Sequence, residues 1–156
     1  MRHGFIKAAA VTPNIKVADP VYNAERICEK LKEAYERKAK IIVFPELCIT
    51  GYTCQDLFLQ EILLKEALAA LKRITECTKG QDALVFVGLP VVRHQKLYNA
   101  AAVLRDGKIL GMVPKTYIPN YGEFYEARHF TSGNGEAADI LIDKEKIKFG
   151  SKLLFA

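Results

Sequence analysis

Two residues of opposite charge, Glu46 and Lys115, stand just past apolar runs that end in proline. Glu46 follows Ile41–Pro45, and Lys115 follows Gly111–Pro114. Short runs of β-branched and aromatic residues are typical of buried strands, and proline ends the hydrogen-bonding ladder of a strand. We therefore expect both charges at strand ends, where open α/β sheets place their ligand sites.

This pair of residue types suits the cleavage of an amide by a thiol. A positioned carboxylate can act as a general base, and an ammonium can stabilise the oxyanion of a tetrahedral intermediate. A thiol needs such a base, because its free pKa of about 8.5 leaves it mostly protonated at neutral pH. The alternative for each residue is an ordinary surface ion pair. Neither Cys48 nor Cys54 follows an apolar strand in the strand-to-turn setting of an exposed nucleophile.

Hydrophobic periodicity predicts the elements that must position these residues. The predicted strands are Phe5–Val11 (buried on both faces), Ile41–Phe44, Leu84–Leu89 (closed by Pro90), Leu97–Leu104, Lys108–Val113, Ile140–Ile142 and Phe149–Phe155. One helix is predicted from Asp19-Pro20 to near Lys40, and a second from Leu57 to Cys77 with Ile62 on its buried side. Asp106-Gly107 and Lys144-Glu145 mark hairpin turns, and the stretch from Pro119 to Asn134 is irregular. The strand–helix alternation predicts an α/β domain over residues 1–156 with helices on one face of a sheet.

Composition excludes several classes of function. The net charge of +5 comes from basic residues that mostly alternate with acids, so no nucleic-acid partner is expected. No apolar run reaches 18 residues and no signal peptide is recognisable, which favours a cytoplasmic protein with no membrane partner. Cys28, Cys48, Cys54 and Cys77 lack the spacing of a metal site or a disulfide framework, so they are expected to be buried or half-buried thiols.

Longer motifs around the two charges add a resemblance. Phe44–Tyr52 resembles the base motif of the nitrilase superfamily, and Pro114–Phe130 resembles its lysine motif. The Pro-Asn-Tyr segment Pro119–Tyr121 and the stretch Tyr52–Phe58 are similar to the glutaminase domains of glutamine-dependent NAD synthetases. The resemblance implies a nitrilase-like α-β-β-α sandwich, of which this chain would supply roughly the first half.

The resemblance also implies roles for particular residues. Glu46 would be the general base, Lys115 the oxyanion-stabilising residue, Tyr121 a contact to the substrate L-glutamine, and Glu126 a second site carboxylate, with Glu123 close enough to compete for that last role. The nucleophilic cysteine of the family follows the lysine. No cysteine follows Lys115 in this sequence, so the resemblance implies a nucleophile beyond residue 156 and a chain that is inactive alone. The glutaminase step needs no cofactor. ATP and magnesium belong to a C-terminal synthetase domain, absent from this sequence, that uses the ammonia to amidate nicotinic acid adenine dinucleotide. A homo-oligomer is expected.

Two alternatives stay open at this point. The chain could belong to another nitrilase-like carbon-nitrogen hydrolase that acts on a different small amide, or to a non-catalytic nitrilase-like module that binds a ligand or partner. The apolar segment Lys152–Ala156 indicates a final core strand, and its position at the last residue favours a truncated chain.

Overall fold

A seven-stranded mixed sheet with two α-helices forms the fold in the computed structural model, which describes residues 4–133, 135 and 137–155. The strands are β1 (Ala8–Ala10), β2 (Ile41–Val43), β3 (Leu84–Arg93), β4 (Lys96–Arg105), β5 (Lys108–Pro114), β6 (Ala138–Ile142) and β7 (Glu145–Phe149). The helices are α1 (Pro20–Glu36) and α2 (Glu61–Glu76), with short 3₁₀ turns at Gln55–Leu59 and Glu126–Arg128. The sheet order is β1-β2-β3-β4-β5-β7-β6, in which β1, β2 and β3 are parallel and β3, β4 and β5 are antiparallel.

Both helices pack on the same face of this sheet. Alternate residues of the central strands, such as Val85 and Val87 of β3 and Ala102 of β4, share one buried core with Leu31 of α1 and Leu71 of α2. Because side chains alternate across a strand, the intervening residues lie on the opposite face. The helix-covered face therefore supplies the core, and the opposite face is free to carry a site.

The opposite face, here called the open sheet face, consists of Ile41, Val43, Phe86, Ala101 and Val113. It is apolar and only partly buried. A depression of about 540 Å³ runs across it, and its lining also includes Glu46, Asn99 and Lys115. The two charges predicted to lie at strand ends thus stand beside an accessible apolar surface.

The predicted helices are present, with shifted boundaries. Asp19 caps α1 by accepting a hydrogen bond from the backbone nitrogen of Tyr22 at 3.0 Å, but the helix ends at Glu36 rather than near Lys40. The predicted helix over 57–77 is divided into the 3₁₀ turn Gln55–Leu59 and α2. Ile62 is largely exposed, so the prediction that it lies on the buried side is wrong.

Two strand predictions require correction. The first strand covers Ala8–Ala10 instead of Phe5–Val11, and it is not buried on both faces, because β1 lies at the sheet edge and pairs with β2 alone. Strand β3 continues through Pro90 to Arg93. Its pairing with β2 ends at Phe86, so no described strand pairs with β3 on that side at Pro90, and the missing N–H of proline costs no ladder hydrogen bond there.

The last predicted hairpin is shifted by several residues. β6 pairs with β7 across Asp143 and Lys144, both with positive φ (46° and 71°), in place of Lys144-Glu145. Beyond Phe149 the described chain makes no further strand, and Leu154 is 98% exposed. The prediction of a core strand over 149–155 is therefore wrong. Asn134 and Ala156, which bound two of the predictions, lie outside the described residues.

Cys28 and Cys77 form a disulfide, which corrects the prediction that they are thiols. Their Cα atoms are 6.0 Å apart, a usual separation for a disulfide. Cys28 lies on α1 and Cys77 caps the end of α2. The bridge joins two packed helices, and no cysteine spacing in the sequence could have indicated it.

Candidate active site

The carboxylate of Glu46 is positioned by a tight passage of the chain over β3. The segment after β2 crosses Gly88, where a Cβ would collide with the backbone of Pro45, Glu46 and Leu47. Leu47 has a positive φ of 51°, which turns the chain immediately after Glu46. The backbone nitrogen of Ile49 then donates to the Gly88 carbonyl at 3.2 Å. Glycine at position 88 is therefore what allows the Glu46 segment to lie against the sheet.

Lys115 is held from both sides at the end of β5. Its backbone nitrogen donates to the Asn99 carbonyl at 2.8 Å, and its own carbonyl accepts from Gly133 at 2.9 Å. Gly133 is packed so closely on Pro114 that a side chain there would clash. The loop after β5 thus returns to the sheet and fixes the backbone of Lys115.

These elements bring three charged side chains into one cluster. Nζ of Lys115 donates to Oε1 of Glu46 at 2.7 Å, and to Oε1 and Oε2 of Glu126 at 2.8 and 3.0 Å. Glu126 also accepts from the Tyr52 hydroxyl at 2.8 Å, and Glu46 accepts from the side-chain amide of Asn99. The cluster therefore contains two carboxylates that share one ammonium, and Tyr52 and Asn99 add neutral hydrogen-bond donors.

Burial differs sharply between the two carboxylates. The side chain of Glu126 is only 5% exposed, whereas that of Glu46 is 41% exposed. Among the residues that the structure describes, none donates a hydrogen bond to Oε2 of Glu46. Glu46 is therefore the carboxylate that a ligand can reach, while Glu126 is enclosed by its partners.

The surroundings keep the donors of this cluster protonated. Burial alone would lower the pKa of Lys115, but its hydrogen bonds to Glu126 and Glu46 and their negative charges outweigh that effect and raise it. Burial and the neighbouring Glu126 carboxylate also raise the pKa of Tyr52. Lys115 is thus a permanent cation at neutral pH, suited to stabilising negative charge rather than to accepting a proton.

Tyr121 and Glu123, which were also predicted for the site, are both exposed. Tyr121 is 72% exposed and packs its ring on Phe124 at 5.7 Å between centroids, outside the hydrogen-bonded cluster. Glu123 is exposed and lines a small cavity of about 50 Å³ that is shared with Tyr52 and Glu126. Of the two glutamates left open by the sequence, Glu126 is the one that contacts Lys115.

The two free cysteines are poorly suited to nucleophilic attack. Both Cys48 and Cys54 are buried, and each thiol points at a backbone carbonyl. Burial raises the pKa of Cys48 to about 12 and also raises that of Cys54. Neither is a reactive thiolate at neutral pH.

Sequence reasoning missed Asn99 and gave Tyr52 no chemical role. Asn99 is 3% exposed and lies on β4 facing the cluster. The one available signal was a polar residue inside the apolar run Leu97–Leu104, and no pattern gave its partner. In the described part of the chain no group of three or more histidine, cysteine, aspartate or glutamate side chains could hold a metal ion. No helix found there is long and apolar enough to cross a bilayer.

Comparison with known proteins places the chain in a family. Residues 7–151 match the model of the carbon-nitrogen hydrolase family, which is nearly the whole chain. The chain belongs to the carbon-nitrogen hydrolase family. This family member also has curated relatives: it is 39% identical over 156 residues to the glutamine-dependent NAD(+) synthetase of Mycobacterium bovis and 40% identical over 136 residues to that of Aquifex aeolicus. These matches cover 99% and 87% of this chain but only 23% and 24% of the relatives, so the chain spans about a quarter of their length.

Solved structures confirm the predicted nitrilase-like fold class of this member of the carbon-nitrogen hydrolase family. A glutamine-dependent NAD(+) synthetase from Cytophaga hutchinsonii superposes with a TM-score of 0.87 at 30% identity, over 93% of this chain and 25% of that one. An amidase from Nesterenkonia, at 19% identity, superposes with a TM-score of 0.69 over 95% of this chain and 56% of that one. Within the predicted α-β-β-α sandwich, the described residues form a single sheet with helices on one face.

Proposed function

We propose that this chain forms the base-and-lysine part of a site that hydrolyses the side-chain amide of L-glutamine and supplies ammonia for NAD synthesis. The observation that carries the proposal is Lys115 held between the exposed Glu46 and the buried Glu126 at 2.7 and 2.8 Å, beside the open sheet face. Membership of the carbon-nitrogen hydrolase family and similarity to glutamine-dependent NAD synthetases support it.

In the proposed reaction a thiol is the nucleophile, and Glu46 accepts its proton. The thiolate attacks the amide carbon, and Lys115 stabilises the oxyanion that develops on the amide oxygen. When the intermediate collapses, the carbon–nitrogen bond breaks, and Glu46 returns the proton to the departing ammonia. Water then attacks the thioester carbon while Glu46 accepts a proton from it. When this second intermediate collapses, the carbon–sulfur bond breaks, Glu46 returns the proton to the thiolate, and glutamate leaves.

The nucleophile is proposed to come from outside these 156 residues. Cys28 and Cys77 are bonded to each other, and Cys48 and Cys54 are buried thiols with raised pKa values. The open sheet face is the accessible side of the cluster, so a segment bearing the thiol would approach from there. On this proposal the 156-residue chain alone releases no ammonia.

The remaining parts are proposed from the sequence resemblance to glutamine-dependent NAD synthetases. A C-terminal synthetase domain would use ATP and magnesium to amidate nicotinic acid adenine dinucleotide with the ammonia, in a cytoplasmic homo-oligomer. Tyr121 would contact glutamine, and Glu126 would keep Lys115 charged and in place. The glutaminase step itself would need no cofactor.

The test is ammonia and glutamate release from L-glutamine by the gene product that carries these 156 residues. Parent, E46Q, K115M and the surface control K30M should be compared, because Lys30 pairs with Glu33 at the same 2.7 Å but away from the cluster. We expect activity in the parent and in K30M, and loss of at least about 100-fold in the other two variants.

Substrate choice separates this proposal from its alternatives. Asparagine and short aliphatic amides should be hydrolysed at least about tenfold more slowly than glutamine, as a pocket that recognises the amino-acid end would require. Faster turnover of the simple amides would replace the proposal with a different amidohydrolase. Binding of glutamine without any turnover would point to a non-catalytic module.

A further inference from the structure

Asn99 connects the parts of the cluster that lie on different strands. It lies on β4, where it pairs with Pro90 of β3, and its carbonyl accepts the backbone nitrogen of Lys115 at 2.8 Å. Its side-chain amide donates to Oε1 of Glu46 and lies 3.5 Å from Oε2 of Glu126. One buried residue is therefore bonded to the segments that carry the carboxylate and the ammonium.

The hydrogen bonds of Glu46 are unequally divided between its two oxygens. Oε1 accepts from both Lys115 and Asn99, whereas no described residue donates to Oε2. Two donors converging on one oxygen fix the rotation of the carboxyl group. That leaves Oε2 as the oxygen that can receive a proton.

The neutral amide also suits its position between two like charges. Glu46 and Glu126 share the single ammonium of Lys115, and their mutual repulsion disfavours close approach. An amide nitrogen carries two protons, so it can face both carboxylates without adding charge. An acidic side chain here would add a third negative charge, and an aliphatic one would supply no donor.

We propose that Asn99 is a positioning residue of the amide-hydrolysing site, holding Oε1 of Glu46 so that Oε2 serves as the base. The expected effect on kcat rests on the proposed function, whereas the expected effect on the position of the Glu46 side chain rests on the geometry alone. Misplacing a reacting group by about 1 Å can cost on the order of 100-fold in rate. Loss of the amide should therefore lower kcat more than it changes KM.

The kinetic test compares N99A and N99D with the parent and with the control N23A in glutamine hydrolysis. Asn23 is also buried, but among the described residues its side chain bonds only to the backbone of Lys16 and Ile49. N23A therefore reports the cost of losing a buried amide elsewhere. We expect kcat to fall about 10- to 100-fold in N99A and N99D, with KM within roughly threefold of the parent and kcat of N23A unchanged.

The isosteric N99D separates hydrogen bonding from packing. The introduced carboxyl group fills the same space but, when ionised, repels Glu46 and donates nothing. Repulsion from two carboxylates raises the pKa of that introduced group, and its protonated form is a donor again. The activity of N99D relative to the parent should therefore rise between pH 7.5 and pH 5.5. Parent-like kcat in N99D, or an equal fall in N23A, would overturn the proposal.

Crystal structures of the parent and N99A decide the geometric part without any turnover. We expect Glu46 to leave Lys115 and adopt more than one side-chain conformation in N99A. A single, parent-like Glu46 still within hydrogen-bonding distance of Lys115 would show that Asn99 positions nothing. If the parent releases no ammonia from glutamine, the proposed function fails, whereas this structural comparison still tests Asn99.

Discussion

Replacing Lys115 with methionine should destabilise the folded protein, because it leaves a buried carboxylate without its counter-charge. Glu126 is 5% exposed and accepts two of the hydrogen bonds that Lys115 makes. In K115M its remaining donors would be the Tyr52 hydroxyl at 2.8 Å and the Asn99 amide at 3.5 Å. Methionine matches the length of the lysine stem, so the change removes charge and donors with little loss of volume.

The size of the effect follows from how deeply the pair is buried. Removing one partner of a fully buried ion pair costs about 3–5 kcal/mol, whereas exposed pairs contribute about 0–1 kcal/mol. Here one carboxylate is buried, but the lysine is 28% exposed and the other carboxylate 41% exposed. We therefore expect K115M to lower the free energy of unfolding by about 2–3 kcal/mol at pH 7.

Urea unfolding of the parent, K115M and K30M measures this difference. The Lys30–Glu33 pair has the same 2.7 Å separation, but both side chains are more than a third exposed, so K30M should change the free energy of unfolding by less than about 0.5 kcal/mol. Neutralising the buried acid as well, in K115M/E126Q, should recover part of the loss. If K115M and K30M were equally stable, the buried-charge reasoning would be refuted.

The pH dependence has a definite sign. The folded-state pKa of Lys115 is raised above its usual value of about 10.5, so the ammonium favours the folded state. Its contribution is complete below the unfolded-state pKa and is lost as the pH rises through the higher folded-state pKa. The stability difference between parent and K115M should therefore be constant from pH 7 to about 9.5 and shrink above about pH 10.5.

Three further predictions concern the reaction, the sheet and the disulfide. On the proposed function, E46Q and K115M in the gene product that carries these residues should abolish NAD synthesis from glutamine but preserve synthesis from ammonium. Loss of both activities in a folded variant would contradict the assignment of Glu46 and Lys115 to the glutaminase step. G88A should lower the free energy of unfolding by about 1–3 kcal/mol in urea denaturation, because a Cβ at Gly88 displaces the backbone crossing it; unchanged stability would refute that packing argument. Reducing the disulfide between Cys28 and Cys77, which are 49 residues apart, should cost up to about 4 kcal/mol by the chain-entropy estimate, and no change in melting temperature with reductant would count against the bridge.

The sequence predicts the ends of β2 and β5 well, because apolar runs that stop at a charge leave few alternatives, whereas the ends of β1, β3 and β7 differ from the prediction. Glu46 and Lys115 come from segments 69 residues apart, yet both were expected at strand ends from their local pattern alone. The buried strands β2 to β5 place those ends together through pairing across the sheet. Hydrophobic periodicity therefore carries much of the information about which charges can meet.

The sequence pattern does not show which residues from distant segments contact each other. Asn99 stands inside an apolar strand, and only the return of the chain after β2 brings Glu46 over it. The bond between Cys28 and Cys77 likewise depends on how α1 lies against α2. Both are contacts between distant segments, and local spacing contains no information about them. Tyr121 is the opposite case: the motif resemblance assigns it a contact to the substrate, but its exposed side chain does not itself indicate that role.

In the proposed reaction, proton transfer to Glu46 and oxyanion stabilisation by Lys115 depend on each other, because the two side chains are hydrogen-bonded. As it stands, Lys115 directs hydrogen bonds to Glu126 and to Glu46, and a substrate oxygen must replace one of these acceptors. Glu126 is buried and also bonded to Tyr52, so the exposed Glu46 is the partner that can yield. When Glu46 accepts the thiol proton it becomes neutral, and its attraction for Lys115 weakens just as the oxyanion forms. Proton transfer to Glu46 and release of the Lys115 ammonium would then occur together. Asn99 would hold Glu46 in place while Glu46 loses its charge.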